Sequence, residues 1–353
     1  MKPFSNLQDF GESEEWLKYL IDMHVHRKKP IMFIGSAGTG KTAVMKNYLA
    51  TTNPDKVTYT QVNFSSFTDS LALQKNIEGM VEKKAGTTYG SATNKTIICF
   101  IDDMNMPYVD KYGTQSPIAL LRLIVDYQMI YNREQLEEKK YLQDLLFFAS
   151  QNQKAGSFQI DLRLQRNFSV FTMYTPTKDI ITTIFGSILG AHFATLDPKI
   201  KDLCDPLVEA TIFLFQQILK TTQFSPSAKK FHYQFNFREL SKVIEGLCRT
   251  TPKEYSQEID VIRLWVHECH RTFKDRMINE EDQKLLQRYI VSAYVQKINN
   301  NQEPSQEDEM NPFTEDNIHT EFVPAHAGTE GIYVKVKDFN DVKKVLEEKL
   351  NDC

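Results

Sequence analysis

The chain has 353 residues, 41% of them apolar and 25% charged, and a formal net charge of −4; this is the balance of a globular chain long enough for two full cores. So mild a charge gives no electrostatic case for nucleic acid or an anionic membrane as partner, and no apolar run approaches the roughly 18 residues of a membrane-spanning helix. The five cysteines are scattered, with no C-x-x-C pair, and read as reduced thiols rather than a disulfide framework.

Met1-Lys2-Pro3-Phe4-Ser5 lacks the apolar centre of a signal peptide. Residues 13–27 place Trp16, Leu17, Leu20, Ile21 and Val25 at helical spacing and predict an amphipathic helix, ended by Lys28-Lys29-Pro30. The apolar run Ile31-Met32-Phe33-Ile34 then leads into Gly35-Ser36-Ala37-Gly38-Thr39-Gly40-Lys41-Thr42, followed by the helix-forming run from Ala43 to Leu49. This is the G-x-x-x-x-G-K-[ST] phosphate-binding pattern with a strand before it and a helix after it, the context that separates it from a chance glycine-rich turn. The glycines let successive backbone N–H groups, from Gly35 through Ala43, curl toward phosphate oxygens at the positive end of a helix. Lys41 is expected on the β- and γ-phosphates, and the Thr42 hydroxyl on Mg²⁺.

Residues 57–64 predict a second strand and 70–84 a helix, with 86–94 a polar, mobile loop. The run Thr96-Ile97-Ile98-Cys99-Phe100-Ile101-Asp102-Asp103 has the pattern of a fully buried parallel strand that becomes polar only at its C-terminal end, where open α/β sheets bind ligands. Asp102 is expected to hold Mg²⁺ through water and Asp103 to orient the attacking water; an Asp-Asp helix cap is the structural alternative. A helix over 116–129 and strands over 145–149 and 168–173 complete an alternation that specifies a parallel sheet covered on both faces. Beyond Thr175-Pro176-Thr177 the pattern is helical: 178–193, 202–219, 237–247, 257–276 and 281–297. Residues 299–318 are polar and acidic and read as solvated, and a short strand over 331–336 precedes a helix over 340–350.

A P-loop α/β domain followed by a helical lid resembles the AAA+ superfamily. By that resemblance Asn152 corresponds to the sensor 1 residue that contacts the γ-phosphate or attacking water, and Arg238 to sensor 2. Arg166, with Arg163 as second choice, corresponds to the arginine finger that acts in trans on a neighbouring module's nucleotide, and Asn63 to the second-strand residue that switches the catalytic carboxylate. Three stretches resemble the dynein heavy chain family: Asp102 to Pro107 continued by Asp110 to Gln115, Gly156 to Arg166, and Leu264 to Arg276. The stretch from Gly156 to Arg166 is similar to the third of that family's six ring modules, most of all in axonemal outer-arm chains. Within the stretch from Leu264 to Arg276, His267-Glu268-Cys269-His270 is one residue short of a zinc H-E-x-x-H motif. Its histidines would lie about 300° apart around a helix, which favours helix packing over a metal.

The resemblance implies an AAA+ α/β large subdomain over 30–175 and a helical lid over 176–298. A lead-in helix over 1–29, an acidic linker over 299–330 and the start of the connection to the next module over 331–353 flank them. The whole is then an excised segment of a larger polypeptide, with Met1 an introduced start. It further implies ATP or ADP with Mg²⁺, neighbouring AAA+ modules of the same heavy chain as partners within a dynein complex, microtubule contact only through other parts of that chain, and a place in the cytoplasm, cytoskeleton and ciliary or flagellar axoneme. Nucleic acid and membrane are not expected as partners. Two departures point to slow or weak hydrolysis and a regulatory site. Asp103 stands where the family has Glu, and Ser150-Gln151-Asn152-Gln153 lacks the Asn-Pro pair common at sensor 1 in this family. A structural ring spacer with a vestigial site is the alternative.

Overall fold

The structure, a computed structural model, describes residues 11–93, 95–152, 160–299, 301–303, 311–313, 317–321, 332–336 and 339–351. Met1 to Ser5, Asn94, Gln153, Gly156 to Gln159, the acidic run 304–310, Gly331 and Cys353 lie outside the described residues. The chain divides into two compact units, residues 1–176 and 177–353.

In the first unit the order is α1 (Gly11–His26), β1 (Ile31–Gly35), α2 (Lys41–Thr51), β2 (Val57–Asn63), α3 (Ser70–Glu78), β3 (Glu82–Lys83), β4 (Thr88–Gly90) and β5 (Thr96–Asp102). There follow α4 (Ser116–Tyr127), β6 (Met129–Tyr131), β7 (Lys139–Leu142), β8 (Leu145–Asn152), α5 (Leu162–Gln165) and β9 (Ser169–Met173). Five strands form one sheet in the order β2-β5-β8-β1-β9, every pair parallel. The two-residue period of a strand sorts their side chains between two cores. Ile31, Phe33, Ile98, Phe100, Leu146 and Phe148 turn to one face, with Val44, Met45, Tyr48 and Leu49 of α2 and Ile21 of α1. Met32, Ile97, Cys99, Ile101, Phe147 and Ala149 turn to the other, with Leu73 and Ile77 of α3 and Ile118, Leu121 and Ile124 of α4. Each fully buried side chain of this size stabilises by about 1.5–3 kcal/mol, so near-continuous apolar strands are what a sheet covered on both faces requires.

Two expectations for this unit are corrected. The helix predicted over 70–84 stops at Glu78: Gly79 caps it, and Val81, 8% exposed, turns into the core just before β3. The span 86–94, expected to be a mobile loop, contributes β4 to a second sheet of order β3-β4-β7-β6. Its strands are only two to four residues long, and β3 and β7 carry lysines, so alternation is too brief to reveal them. Ion pairs between residues distant in sequence support this sheet: Lys84 and Lys28 both reach Asp144, at 3.0 and 3.1 Å, and Lys140 reaches Glu78 at 2.9 Å.

The second unit comprises α6 (Lys178–Phe193), α7 (Pro198–Asp202), α8 (Cys204–Lys220), α9 (Phe237–Leu247), α10 (Glu258–Cys269), α11 (Glu280–Lys297), β10 (His319–Thr320), β11 (Val334–Lys335) and α12 (Phe339–Asn351). The helix expected over 202–219 is α8, and the five-residue α7 just before it was not expected. The helix expected over 257–276 becomes α10 followed by a π-helical turn, His270–Lys274. At that turn Glu268, fully buried, accepts from Arg271 Nη2 at 2.6 Å and Tyr333 Oη at 2.7 Å. His267 contacts the carbonyl of Asn317 and the hydroxyl of Tyr333, so the His-Glu-Cys-His string works as a packing node. It anchors the antiparallel pair β10–β11. Within the span 299–318 expected to be solvated, Asn317 is buried, as are His319 and Thr320 just beyond it. A further node is the buried carboxylate of Asp282, which accepts from Lys230 Nζ at 2.5 Å, Gln223 Nε2 at 2.6 Å and Tyr233 Oη at 3.0 Å.

Candidate functional site

The parallel register sets Gly35 level with Asn152 and Ile101 level with Ala149, so the C-terminal ends of β1, β5 and β8 lie side by side. Gly35 must be glycine for reasons of space: a Cβ there would sit 2.6 Å from the carbonyl oxygen of Met173. Gly38 and Gly40 take φ of 83° and 86°, a region L side chains adopt only at a cost. Between β1 and α2 the chain therefore turns as a loop, with Ser36 and Ala37 less buried than Thr39. The Thr39 hydroxyl donates to the Ser36 carbonyl at 3.0 Å. Ala43 is exposed in the first turn of α2, where backbone N–H groups have no intrahelical acceptor.

Lys41, 6% exposed, donates to the carbonyls of Gly35 and Ser36 at 3.0 and 2.7 Å and to Asn152 Oδ1 at 3.0 Å. The same Asn152 donates through Nδ2 to Asp103 Oδ1 at 2.9 Å. One carboxamide thus bridges the ammonium and the carboxylate. Beside it the Thr42 hydroxyl donates to Asp102 Oδ2 at 2.9 Å. Asp102 and Asp103 diverge because Asp103 has φ 52°, in the left-handed region that Asp tolerates better than most residues.

Of the residues expected from sequence, Lys41, Thr42, Asp102, Asp103 and Asn152 form this one network. Asn63 is level with Asp102 in the β2–β5 register, but its side-chain oxygen accepts from Gln61 at 2.7 Å, and the amide on Asp103 is that of Asn152. Arg166 lies 3.8 Å from Asp126 of α4, its side chain 67% exposed; Arg163 is exposed as well. Arg238 belongs to the second unit, on the first turn of α9, where Asn236 and Glu239 form a capping box. Two residues were not anticipated. Ser150, fully buried, donates its hydroxyl to Asp102 Oδ1, and Asn105, 3% exposed, donates to the carbonyl of Asn152 at 3.2 Å. The signal available for Ser150 was a hydroxyl closing the apolar run Leu145 to Ala149; for Asn105 none lay outside the family-like string.

The donor set fits a magnesium nucleotide. A hydroxyl and a carboxylate supply the hard oxygens such a cation prefers, a lysine stands at the same loop, and the loop is open, since a Cβ on Gly40 would meet nothing within 4 Å.

A family profile described as the P-loop containing dynein motor region matches residues 13–176, and one described as the AAA+ lid domain matches residues 207–307. The dynein axonemal heavy chain 10 of Homo sapiens is 35% identical over 336 residues, 95% of this chain and 7% of that protein. The chain belongs to the dynein heavy chain family. The flagellar outer-arm dynein beta chain of Chlamydomonas reinhardtii is 40% identical over 277 residues, 78% of this chain and 6% of its own length. The ciliary dynein beta chain of Tripneustes gratilla is 36% identical over 337 residues, 95% and 7% respectively. This dynein segment therefore spans only 6–7% of the length of these relatives, and its fold is an AAA+ P-loop domain with a helical lid, of the P-loop ATPase family.

Proposed function

We propose that this chain is an ATP- and ADP-binding AAA+ module of a ciliary dynein heavy chain, the third of its ring, whose nucleotide occupancy gates the motor cycle while its own hydrolysis is slow. The observation that carries this reading is the pair of contacts Lys41–Asn152–Asp103 and Thr42–Asp102, which gathers a phosphate-binding cation, a metal-binding oxygen pair and a carboxylate at the ends of three adjacent strands. Lys41 would leave its loop carbonyls to bind the β- and γ-phosphates, and Thr42 and Asp102 would hold Mg²⁺. When bound, that ion neutralises charge on the phosphate oxygens. Asn152 would orient the γ-phosphate end, and Asp103 Oδ1 would accept the proton of the attacking water. Asp103 is shorter by one methylene than the Glu usual there, and a misplacement of about 1 Å can cost about 10²-fold in rate. The shorter acid, together with the contact that ties it to Asn152, is why slow turnover is expected.

In the ring, Arg238 would serve as sensor 2 and Arg166 would reach the preceding module's nucleotide, an arginine in that role contributing about 10³–10⁵ in rate. Similarity to axonemal, ciliary and flagellar chains supports a place in the axoneme within a dynein complex, with microtubules contacted by other parts of the heavy chain. Calorimetric titration with ATP and ADP in Mg²⁺, with Lys41→Ala as control, tests the reading. Binding that is lost in the variant supports a working P-loop. Failure of the wild type to bind refutes it, and fast hydrolysis in an intact ring that is abolished by Asp103→Asn refutes the slow-site part.

A further inference from the structure

The apolar run of β8, Leu145 to Ala149, ends in a residue that packing alone does not explain. Ser150 is fully buried, and a buried hydroxyl is costly unless hydrogen-bonded. Its hydroxyl donates to Asp102 Oδ1. The same oxygen accepts the backbone N–H of Asp103 at 3.2 Å, while the other oxygen, Oδ2, accepts from Thr42 at 2.9 Å. The two carboxylate oxygens are thus divided, one held by the protein interior and one turned to the phosphate-binding loop. Ser150 is itself fixed: it stands opposite Phe33 in the β1–β8 register, and its carbonyl accepts the N–H of Met104 at 2.9 Å. Alanine would fill this strand position without a polar atom, and among the described residues the hydroxyl's contact is with the carboxylate.

We propose that Ser150 is a positioning residue for the divalent cation, holding Asp102 in the one orientation that presents Oδ2 beside the Thr42 hydroxyl. The inference rests on the nucleotide reading above. Hydrogen-bonding partners that orient metal ligands change metal affinity by about 10–100-fold when removed, because the ligand must otherwise be ordered as the ion binds.

The test titrates the whole chain with ADP in Mg²⁺ and in EDTA, and with Mn²⁺ in the presence of ADP followed by electron paramagnetic resonance. Ser150→Ala is expected to weaken Mg²⁺-supported ADP binding and Mn²⁺ binding by about 10–100-fold. Binding in EDTA stays at the wild-type value, which also shows that the variant is folded. Ser150→Thr, which keeps a hydroxyl, is expected to retain the cation dependence. Ser150→Ala with the wild-type gain from Mg²⁺, Ser150→Thr as impaired as Ser150→Ala, or a wild type that binds ADP equally in Mg²⁺ and EDTA each overturns the positioning role and leaves the P-loop reading standing. A wild type that binds no ADP in either medium overturns both.

Discussion

Replacing Asn152 with alanine removes both halves of the bridge between Lys41 and Asp103. Each lost contact is a hydrogen bond to a charged group, at 3.0 and 2.9 Å, and such bonds contribute about 1.5–3 kcal/mol apiece. Asp103 is half-buried and water can replace the amide there, whereas Lys41 is 6% exposed. The low end for the lysine contact and a fraction of it for the aspartate gives a destabilisation of about 2 kcal/mol for the nucleotide-free protein. For a unit of this size that lowers the midpoint of a calorimetric scan by about 4–8 °C. ADP affinity follows a different rule. Lys41 donates to Gly35, Ser36 and Asn152, so phosphate competes with Asn152 for the ammonium. Freeing the lysine offsets the lost orientation, and ADP affinity is expected to move by less than about tenfold, or 1.4 kcal/mol. An unmoved midpoint would show that the amide is no bridge. A collapse of ADP binding with an unmoved midpoint would refute the competition.

Gly246→Ala in α9 drives a Cβ into Cδ of the buried Glu268; overpacking typically costs about 1–3 kcal/mol, and the upper end is expected in a urea titration because Arg271 and Tyr333 hold that carboxylate in place. Gln128→Gly should raise stability by about 0.5–1 kcal/mol, since Gln128 ends α4 at φ 52° and glycine carries no left-handed penalty there. Burial pushes the imidazoles of His270 and His319 down to about 4 and about 3 and also lowers that of His267. The unfolded chain therefore takes up protons first, beginning near pH 6.5. Stability of the second unit is full above that pH and is expected to fall by on the order of 1 kcal/mol per pH unit for His270 and for His319 as the pH drops from about 6.5 toward 4. His270→Gln should flatten that slope in melts recorded across the range; an unchanged slope would contradict the assignment.

What the sequence disclosed and what it hid divide along one physical line. Elements whose side-chain period runs long enough to be counted were legible: β5 with its continuous apolar run, and α6 and α9, whose bounds coincide with those expected. The P-loop was legible because backbone strain demands glycine at fixed positions. The second sheet was hidden because its strands gain their order from partners distant in sequence, Asp144 for Lys84 and Glu78 for Lys140. The break between α10 and the π-helical turn was hidden for a like reason, since the residue that explains it, Tyr333, arrives from far along the chain. Within the site, the residue types and spacing drew attention to Lys41, Thr42 and Asp102, and the family resemblance to Asn152. The orientation of Asp102 was not legible, because it depends on a serine in another strand.

Asp103 joins these threads. Sequence alone presents it as a shortened version of Glu, a loss of reach. In the fold it has φ 52°, a conformation that Asp and Asn visit several times more readily than longer side chains, and its short carboxylate ends on Asn152 Nδ2 at 2.9 Å. A glutamate at the same backbone would meet a larger conformational penalty and would overshoot that amide by about one carbon–carbon bond, roughly 1.5 Å. The backbone conformation, the shorter acid and the asparagine are therefore one arrangement, and lengthening the acid alone should not speed turnover. Asp103→Glu is accordingly expected to lower the thermal midpoint, by about 1 kcal/mol of strain, and to leave turnover no faster. A variant that is both as stable as the wild type and faster would show that the aspartate is a simple truncation, with nothing built around it.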